Sequence, residues 1–160
     1  MLTTSTSPLL HLALALAAAT TSTVHAASHR IDVGRGGLTF TPDTITAAVG
    51  DTVDFYFVGG THDAVTSEYA TPCSPRASGE RFSSGVQAGS ANNKNVFRVT
   101  INSTEPMYYY CSVGMHCANG MVAAINPLAN QTVADLKTSA RGKSAGKPTG
   151  VYGGVMTTVP

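Results

Sequence analysis

Three side chains with metal-binding chemistry stand close together in one short segment. The run Cys111-Ser-Val-Gly-Met-His116-Cys117-Ala-Asn-Gly-Met121 presents a thiol, an imidazole and a thioether at C-x4-H-x4-M spacing. Sulfur ligands are soft and imidazole is borderline, so this set selects copper over calcium or magnesium. The segment lies between two strand-like stretches and therefore predicts one loop that supplies three ligands to one metal ion.

The fourth ligand has to be a second histidine from elsewhere in the chain. His62 lies in Gly-Gly-Thr-His-Asp, directly after a strand-like segment, where its side chain can turn into a site at one end of a sheet. Together, two histidines, one cysteine and a weak axial methionine form the blue-copper arrangement. Its predicted members are His62, Cys111, His116 and Met121. Zinc is the main rival, but zinc rarely takes methionine.

Each of these ligand types has a reason to be present. A thiolate binds both copper oxidation states strongly, neutral imidazoles suit Cu(II) and tolerate Cu(I), and methionine tends to raise the reduction potential. Four protein ligands leave no open position for a substrate, which a catalytic metal needs. We therefore expect one copper ion that cycles between Cu(I) and Cu(II), and a protein that is not an enzyme.

The three cysteines leave one thiol unpaired. In a secreted protein such a thiol is reactive, pairs between chains or binds metal. The simplest solution joins Cys73 to Cys117 and leaves Cys111 free. Because Cys117 directly follows a predicted ligand, this disulfide would clamp the metal loop.

The N-terminus resembles a secretory leader. Residues 8–19 form a short apolar stretch, too short to span a membrane, and Val24-His25-Ala26 is a cleavage motif. We expect a signal peptide over residues 1–26, cut after Ala26 or Ala27, and a mature protein that is secreted or held at the cell wall or cell surface. Sequons at Asn102 and Asn130 are candidate glycosylation sites.

Short alternating segments separated by glycine-rich turns predict an all-β fold. In residues 52–58, Val53, Phe55 and Phe57 share one face, while residues 94–102 alternate in the same way. This pattern is typical of an antiparallel Greek-key β-sandwich or barrel. We place that domain at residues 27–128.

Residues 129–160 form a different kind of segment. Residues 132–140 predict one short C-terminal helix, and the Gly/Ser/Lys/Pro-rich stretch that follows predicts a flexible, low-complexity tail. Ten basic and nine acidic residues nearly balance over the chain, so there is no electrostatic footprint for nucleic acid. No transmembrane span is expected, and the protein should be a monomer that meets an extracellular redox partner.

The loop and its flanks resemble the copper loop of cupredoxins, specifically of the plastocyanin-like and phytocyanin-like proteins. Phytocyanins have the same Cys-to-His spacing and a cysteine directly after that histidine, which implies a partner at Cys73. Residues 50–57 resemble the strand before the first histidine. Residues 36–40 (Gly-Gly-Leu-Thr-Phe) and 120–127 (Gly-Met-Val-Ala-Ala-Ile-Asn-Pro) are similar to secreted fungal cupredoxin-like proteins. The resemblance covers roughly residues 30–128 and implies the cupredoxin fold.

One residue departs from that resemblance. Asp63 follows His62 where many relatives carry Asn or Ser. An aspartate there could bond the loop backbone, and its charge would favour the oxidised metal.

Two other functions compete with electron transfer. The chain could bind or sequester copper, or act as a cell-wall interaction module, without redox turnover. An enzyme is the weaker alternative, because a multicopper oxidase needs His-x-His pairs and several domains. In a histidine brace, an amino-terminal His29 would chelate copper through its amine and its ring. This arrangement would require cleavage after Ser28, and it leaves the Cys-His-Met set unexplained.

Overall fold

Two β-sheets face each other in the computed structural model, which describes Met1 and residues 25–159. The first sheet has the spatial order β13-β9-β4-β1-β2. Its strands are β1 (Ser28–Val33), β2 (Phe40–Thr41), β4 (Thr52–Phe57), β9 (Asn95–Thr100) and β13 (Val155–Thr158). The predicted all-β sandwich is confirmed.

The second sheet has six strands in the order β12-β7-β6-β10-β11-β3. They are β3 (Thr44–Ile45), β6 (Val65–Ser67), β7 (Ser83–Ser84), β10 (Met107–Tyr110), β11 (Val122–Ile125) and β12 (Val151–Tyr152). A separate two-stranded ribbon pairs β5 (Thr61–His62) with β8 (Gln87–Ala88). This ribbon carries the predicted first histidine ligand.

The core between the sheets follows from alternation along the strands. Val53, Phe55 and Phe57 of β4 are almost fully buried, as their shared face predicted. Phe55 packs edge-on against Tyr109 of the opposite sheet, with ring centroids 5.4 Å apart. On the outer face of β4, Asp54 accepts two hydrogen bonds from Arg98 of β9, at 2.7 and 2.6 Å. The buried face therefore joins the two sheets, and the outer ion pair joins two strands.

Strand β10 is buried on both faces, which explains its unbroken run of large side chains. Met107 and Tyr109 face the core between the sheets, whereas Tyr108 and Tyr110 belong to a second apolar cluster with Leu136. The Tyr108 hydroxyl donates to Gln131 at 2.8 Å. A strand covered by a sheet on one side and a helix on the other needs no polar face.

That helix is α1 (Val133–Ala140), which confirms the predicted short helix. Thr132 caps it by accepting a hydrogen bond from the backbone N–H of Asp135 at 3.1 Å. Val133, Leu136 and Ala140 are buried, and they recur at the spacing of one helical face. The helix therefore closes the outer side of the second sheet.

The sheets are mixed rather than purely antiparallel. Strand β1 runs parallel to β4, and β11 runs parallel to β3. Parallel neighbours need a crossover connection. The chain supplies one by leaving the first sheet after β2 and placing β3 in the second before it returns as β4.

The predicted flexible tail differs from what the structure shows. Strand β12 pairs with β7, and β13 pairs with β9 over four residues. Between α1 and β12, the Gly146 N–H donates to the Cys73 carbonyl at 2.7 Å. The Gly146 carbonyl accepts from the Tyr110 hydroxyl at 2.6 Å. Residues beyond 128 are thus tied to both sheets by backbone hydrogen bonds that low-complexity composition does not predict.

The predicted leader lies almost wholly outside the described residues, which include only Met1 and residues 25–26 of it. Within the described part of the chain, no helix is long and apolar enough to cross a membrane.

Candidate metal centre

His62 reaches the site from the end of the short ribbon strand β5. Two glycines, Gly59 and Gly60, turn the chain out of β4, and His62 then pairs with Gln87 of β8. The residue is only 4% exposed. The turn after β4 thus brings a buried imidazole close to Cys111, and the role of His62 as a ligand stays a prediction.

The other predicted ligands lie on the loop between β10 and β11. The Cys111 N–H donates to the Met121 carbonyl at 3.1 Å, and the Met121 N–H donates to the His116 carbonyl at 3.0 Å. A single turn of 3-10 helix, Cys117–Asn119, ends at Gly120 in a left-handed conformation with φ of 90°. These bonds fold the eleven residues from Cys111 to Met121 into a closed loop with its two ends side by side.

Three ligand atoms converge at this point. Cys111 Sγ lies 3.8 Å from His62 Nδ1 and 3.3 Å from His116 Nδ1. All three atoms are within 4.8 Å of one another. A thiol and two imidazole nitrogens that converge from separate segments form a donor set that suits copper or zinc. These residues therefore fit a bound metal ion.

Met121 is fully buried and belongs to the same core cluster as Cys111. Its backbone bonds to Cys111 and His116 keep it at the closing end of the loop. The axial role of its sulfur remains a prediction.

Burial shapes the protonation of the ligands. Burial, with the nearby Asp63 carboxylate, raises the pKa of the Cys111 thiol to about 12. Burial also lowers the pKa of His62, and repulsion by His116 lowers it further. A neutral imidazole is the form that binds metal, whereas the thiol has to lose its proton on binding.

Two glycines set the orientation of the His62 ring. A Cβ on Gly34 would lie 2.7 Å from His62 Nε2 and would clash with the Gly59 carbonyl oxygen. A Cβ on Gly60 would lie 2.8 Å from the same Nε2. Both glycines have positive φ, at 81° and 65°. The Nε2 edge therefore packs on bare backbone, and the Nδ1 edge faces Cys111.

Asp63 ties the two ligand segments together. It is fully buried, and its two carboxylate oxygens accept hydrogen bonds from the Ser112 N–H and the Ser112 hydroxyl. The sequence anticipated a bond from Asp63 to the loop backbone. Because Asp63 follows His62 and Ser112 follows Cys111, one carboxylate links the two strand ends that carry the first histidine and the thiol.

The cysteines are paired as the simplest solution predicted. Cys73 and Cys117 form a disulfide, and Cys111 is the free, buried cysteine of the described residues. Both half-cystines are fully buried in the second cluster beside α1. The disulfide thus attaches the metal loop to the helix-covered face of the second sheet.

Some contributors to the site were not predicted. Gly34 and Gly60 stood in glycine-rich turns without a sign that they contact a histidine, and Ser112 had no signal beyond its place next to Cys111. The other residues singled out lie apart from the centre. His29 contacts Asp51 at the start of β4, at 2.8 Å, and the sequon residues Asn102 and Asn130 are exposed.

Two curated proteins of Arthroderma benhamiae are similar to this chain. An extracellular serine-rich protein is 43% identical over 136 residues, which span 82% of this chain and 53% of that protein. A probable GPI-anchored cupredoxin-1 is 38% identical over 113 residues, which span 70% of this chain and 58% of that protein. The chain thus spans between half and two thirds of the length of each relative. No protein-family model matches it.

Solved structures show a weaker likeness. The purple cupredoxin of Nitrosopumilus maritimus has a TM-score of 0.46 and 16% identity, with 61% of this chain and 96% of that chain covered. Pseudoazurin of Methylobacterium extorquens AM1 has a TM-score of 0.45 and 18% identity, with 70% and 84% covered. The β-sandwich, the converging Cys-His-His group and the fungal relative together identify this chain as a cupredoxin-like protein.

Proposed function

We propose that the chain holds one copper ion through His62, Cys111, His116 and Met121 and carries one electron outside the cell. The convergence of a thiol and two imidazole nitrogens within 4.8 Å carries this proposal. A bound copper ion would supply a one-electron couple between Cu(II) and Cu(I). The protein contributes the donors, their fixed positions and the exclusion of water.

Rigidity around the donors supports electron transfer over substrate chemistry. The Cys73–Cys117 disulfide, the Asp63–Ser112 bonds and the backbone bonds that close the loop all restrain ligand positions. Ligands that keep their positions in both oxidation states reduce the reorganisation that slows electron transfer. Four protein donors also leave no vacancy for a substrate.

The surface above the histidines offers an exit for the electron. His116 is only partly buried, and a shallow cavity of about 380 Å³ lies over it and His62. Leu38 and Val113 line this cavity, and Met115, which directly precedes His116 in the chain, is 58% exposed. An exposed apolar surface around a ligand edge suits transient contact with a redox partner. We propose an extracellular protein as that partner.

An extracellular or cell-surface location fits the relatives, one of which is described as extracellular and the other as GPI-anchored. A leader over residues 1–26 would place the mature chain there. Glycosylation at Asn102 and Asn130 is compatible with their exposure.

Optical and EPR spectroscopy of the copper-loaded secreted protein tests the site. Wild type should show an intense thiolate-to-copper charge-transfer band, and Cys111→Ser should abolish it. Met121→Gln should keep the metal and lower the reduction potential. A colourless copper-loaded wild type would exclude the blue-copper assignment, and an unchanged potential in Met121→Gln would exclude the axial methionine.

Copper holding without turnover is the alternative function. Electron self-exchange measured by NMR line broadening in mixed-valence samples separates the two. Fast exchange is expected for a carrier. Exchange too slow to broaden the lines, in a protein that still turns blue, would favour sequestration.

A further inference from the structure

A second buried carboxylate lies at the opposite end of β4 from the metal centre. Asp51 is 6% exposed and accepts three hydrogen bonds. The Ala27 backbone N donates to its Oδ1 at 2.8 Å. His29 Nε2 lies 2.8 Å from the Asp51 Oδ2. The Ala48 backbone N–H donates to the same oxygen at 2.9 Å. One of these donors, Ala27, stands at the junction with the predicted leader.

Ala27 is bonded to the sandwich through both of its backbone groups. In addition to its bond to Asp51, its carbonyl accepts from the Thr52 N–H at 2.8 Å, and β1 begins at the next residue. Ala27 itself is exposed, as are the preceding His25 and Ala26, although its backbone groups are hydrogen-bonded. The first backbone nitrogen held by a buried side chain is therefore also the nitrogen that cleavage after Ala26 would release.

We propose that removal of the leader cuts the Ala26–Ala27 bond and that Asp51 is the receptor for the new α-ammonium of Ala27. The reaction is a hydrolysis by a leader peptidase. The bond between the Ala26 carbonyl carbon and the Ala27 nitrogen breaks, and water adds hydroxyl to Ala26 and a proton to Ala27. The released carboxylic acid ionises, and the amine takes up a second proton from solvent.

The structure discriminates between the two cleavage positions that the sequence allows. Cutting one residue later, after Ala27, would remove the hydrogen bonds to both Asp51 and Thr52. Cutting after Ala26 keeps both and replaces a neutral N–H donor by a charged one. A charge-assisted hydrogen bond is stronger than a neutral one.

The charges around this position favour an ammonium. The titratable side chain in contact with Asp51 is His29. Segments 46–50 and 101–102, which hydrogen-bond in the turn around Asp51, carry no charged residue. The next carboxylate along β4, Asp54, accepts from the Ser28 hydroxyl and is already paired with Arg98. Three hydrogen bonds, that of His29 foremost, lower the pKa of Asp51 to about 2, so it is ionised at neutral pH.

The pH dependence of this contact has a defined sign. An α-amino group ordinarily titrates near 7.7–8.0. An ammonium bound to Asp51 has a raised pKa in the folded state, so its stabilisation is complete below about 8 and is lost as pH rises through the folded-state pKa. This loss occurs at the alkaline side and is separate from any acid unfolding.

Three measurements on the secreted protein test the proposal. Intact mass should give a terminus at Ala27. NMR titration of the Ala27 amine should give a midpoint above about 8, which returns to 7.7–8.0 in Asp51→Asn. One extra alanine placed before Ala27 should lower the melting temperature near pH 7 and remove the alkaline loss of stability. The extended wild type keeps the test valid if Asp51→Asn fails to fold.

Asp43→Asn is the matched control. Asp43 pairs with Lys137, away from Ala27, so the difference between the native and extended termini should persist in this variant. A mature terminus at any other residue, or an amine that titrates near 7.8 with Asp51 intact, would overturn the proposal. Because metal-free protein suffices, these outcomes are independent of whether the centre binds copper.

Discussion

The two ends of β4 each combine a histidine with a buried aspartate, but they use the carboxylate differently. Before the strand, Asp51 contacts the ring of His29 directly, at 2.8 Å. After it, Asp63 accepts from Ser112 and leaves His62 Nδ1 facing the Cys111 thiol. The imidazole is part of the structural framework at one end and a free donor at the other.

Strand geometry explains this difference. Asp63 is adjacent to His62, and successive side chains of an extended chain point in opposite directions. The carboxylate therefore cannot easily reach the ring beside it and bonds the neighbouring loop instead. His29 lies in β1 and Asp51 directly precedes the neighbouring strand β4, so the two side chains can meet. The His62 ring must then be held by something else, and Gly34 and Gly60 hold it.

The largest expected effect tests the glycine support of His62. Gly34→Ala should destabilise the fold by about 2–5 kcal/mol, because a Cβ meets the Gly59 carbonyl and the ring at an unfavourable φ. It should also change the copper EPR spectrum. Gly36→Ala is the control, since its φ is 74° but no atom lies within 4 Å of the added Cβ. Its expected cost is about 1–2 kcal/mol, with an unchanged spectrum.

Urea unfolding and EPR of the two variants provide the measurement. Equal losses of stability, together with identical spectra, would show that backbone packing does not orient His62.

The next effect in size concerns the charge beside the centre. Asp63→Asn keeps an acceptor for Ser112 but removes a buried negative charge. That charge favours the oxidised metal, so its removal favours the reduced metal. We expect about 1 kcal/mol of destabilisation. The reduction potential should rise by tens of millivolts, on the scale of one unit charge acting at an effective dielectric of about 20. Protein-film voltammetry measures this shift.

Asp51→Asn is the matched variant for that experiment. It removes a carboxylate from the other end of β4 and should leave the potential nearly unchanged. Potentials that move equally in the two variants would contradict a local role for Asp63.

The smallest expected effect is a loss of stability at acid pH that comes from Asp51, at the end of β4 opposite the metal centre. The pKa of Asp51 is lowered from 3.8 to about 2, so its stabilisation is present above pH 4 and is lost as pH falls towards 2. Wild type should lose more stability than Asp51→Asn over this window. Chemical denaturation at a series of pH values, with the copper-free protein, provides the test. Parallel curves for the two proteins would refute the assignment.

Much of the centre could be predicted because its signal is local. Cys111, His116 and Met121 lie within one loop, and their spacing along the sequence does not depend on how the rest of the chain folds. His62 followed from the small number of histidines and its place after a strand. The Cys73–Cys117 disulfide was the simplest pairing of three cysteines once Cys111 was a predicted ligand, and the phytocyanin resemblance implied the same pair.

The C-terminal strands could not be predicted for a physical reason. Val155 and Met156 are exposed, so β13 has no hydrophobic alternation, and β12 is two residues long. Both strands are recruited by the free edges of β9 and β7, which are distant in sequence. Backbone hydrogen bonding to an edge depends little on side-chain type, so composition alone predicted a flexible tail.

The sequence by itself determined the donor types, their spacing, the alternating strands and the short helix, because these depend on chemistry within a few residues. Tertiary structure alone decided that Asp63 bonds Ser112 and that Asp51 bonds His29 and Ala48. It also brought Gly34 against His62 and Asp51 against Ala27. Such contacts join segments that are far apart along the chain, and they exist only once the sheets have packed.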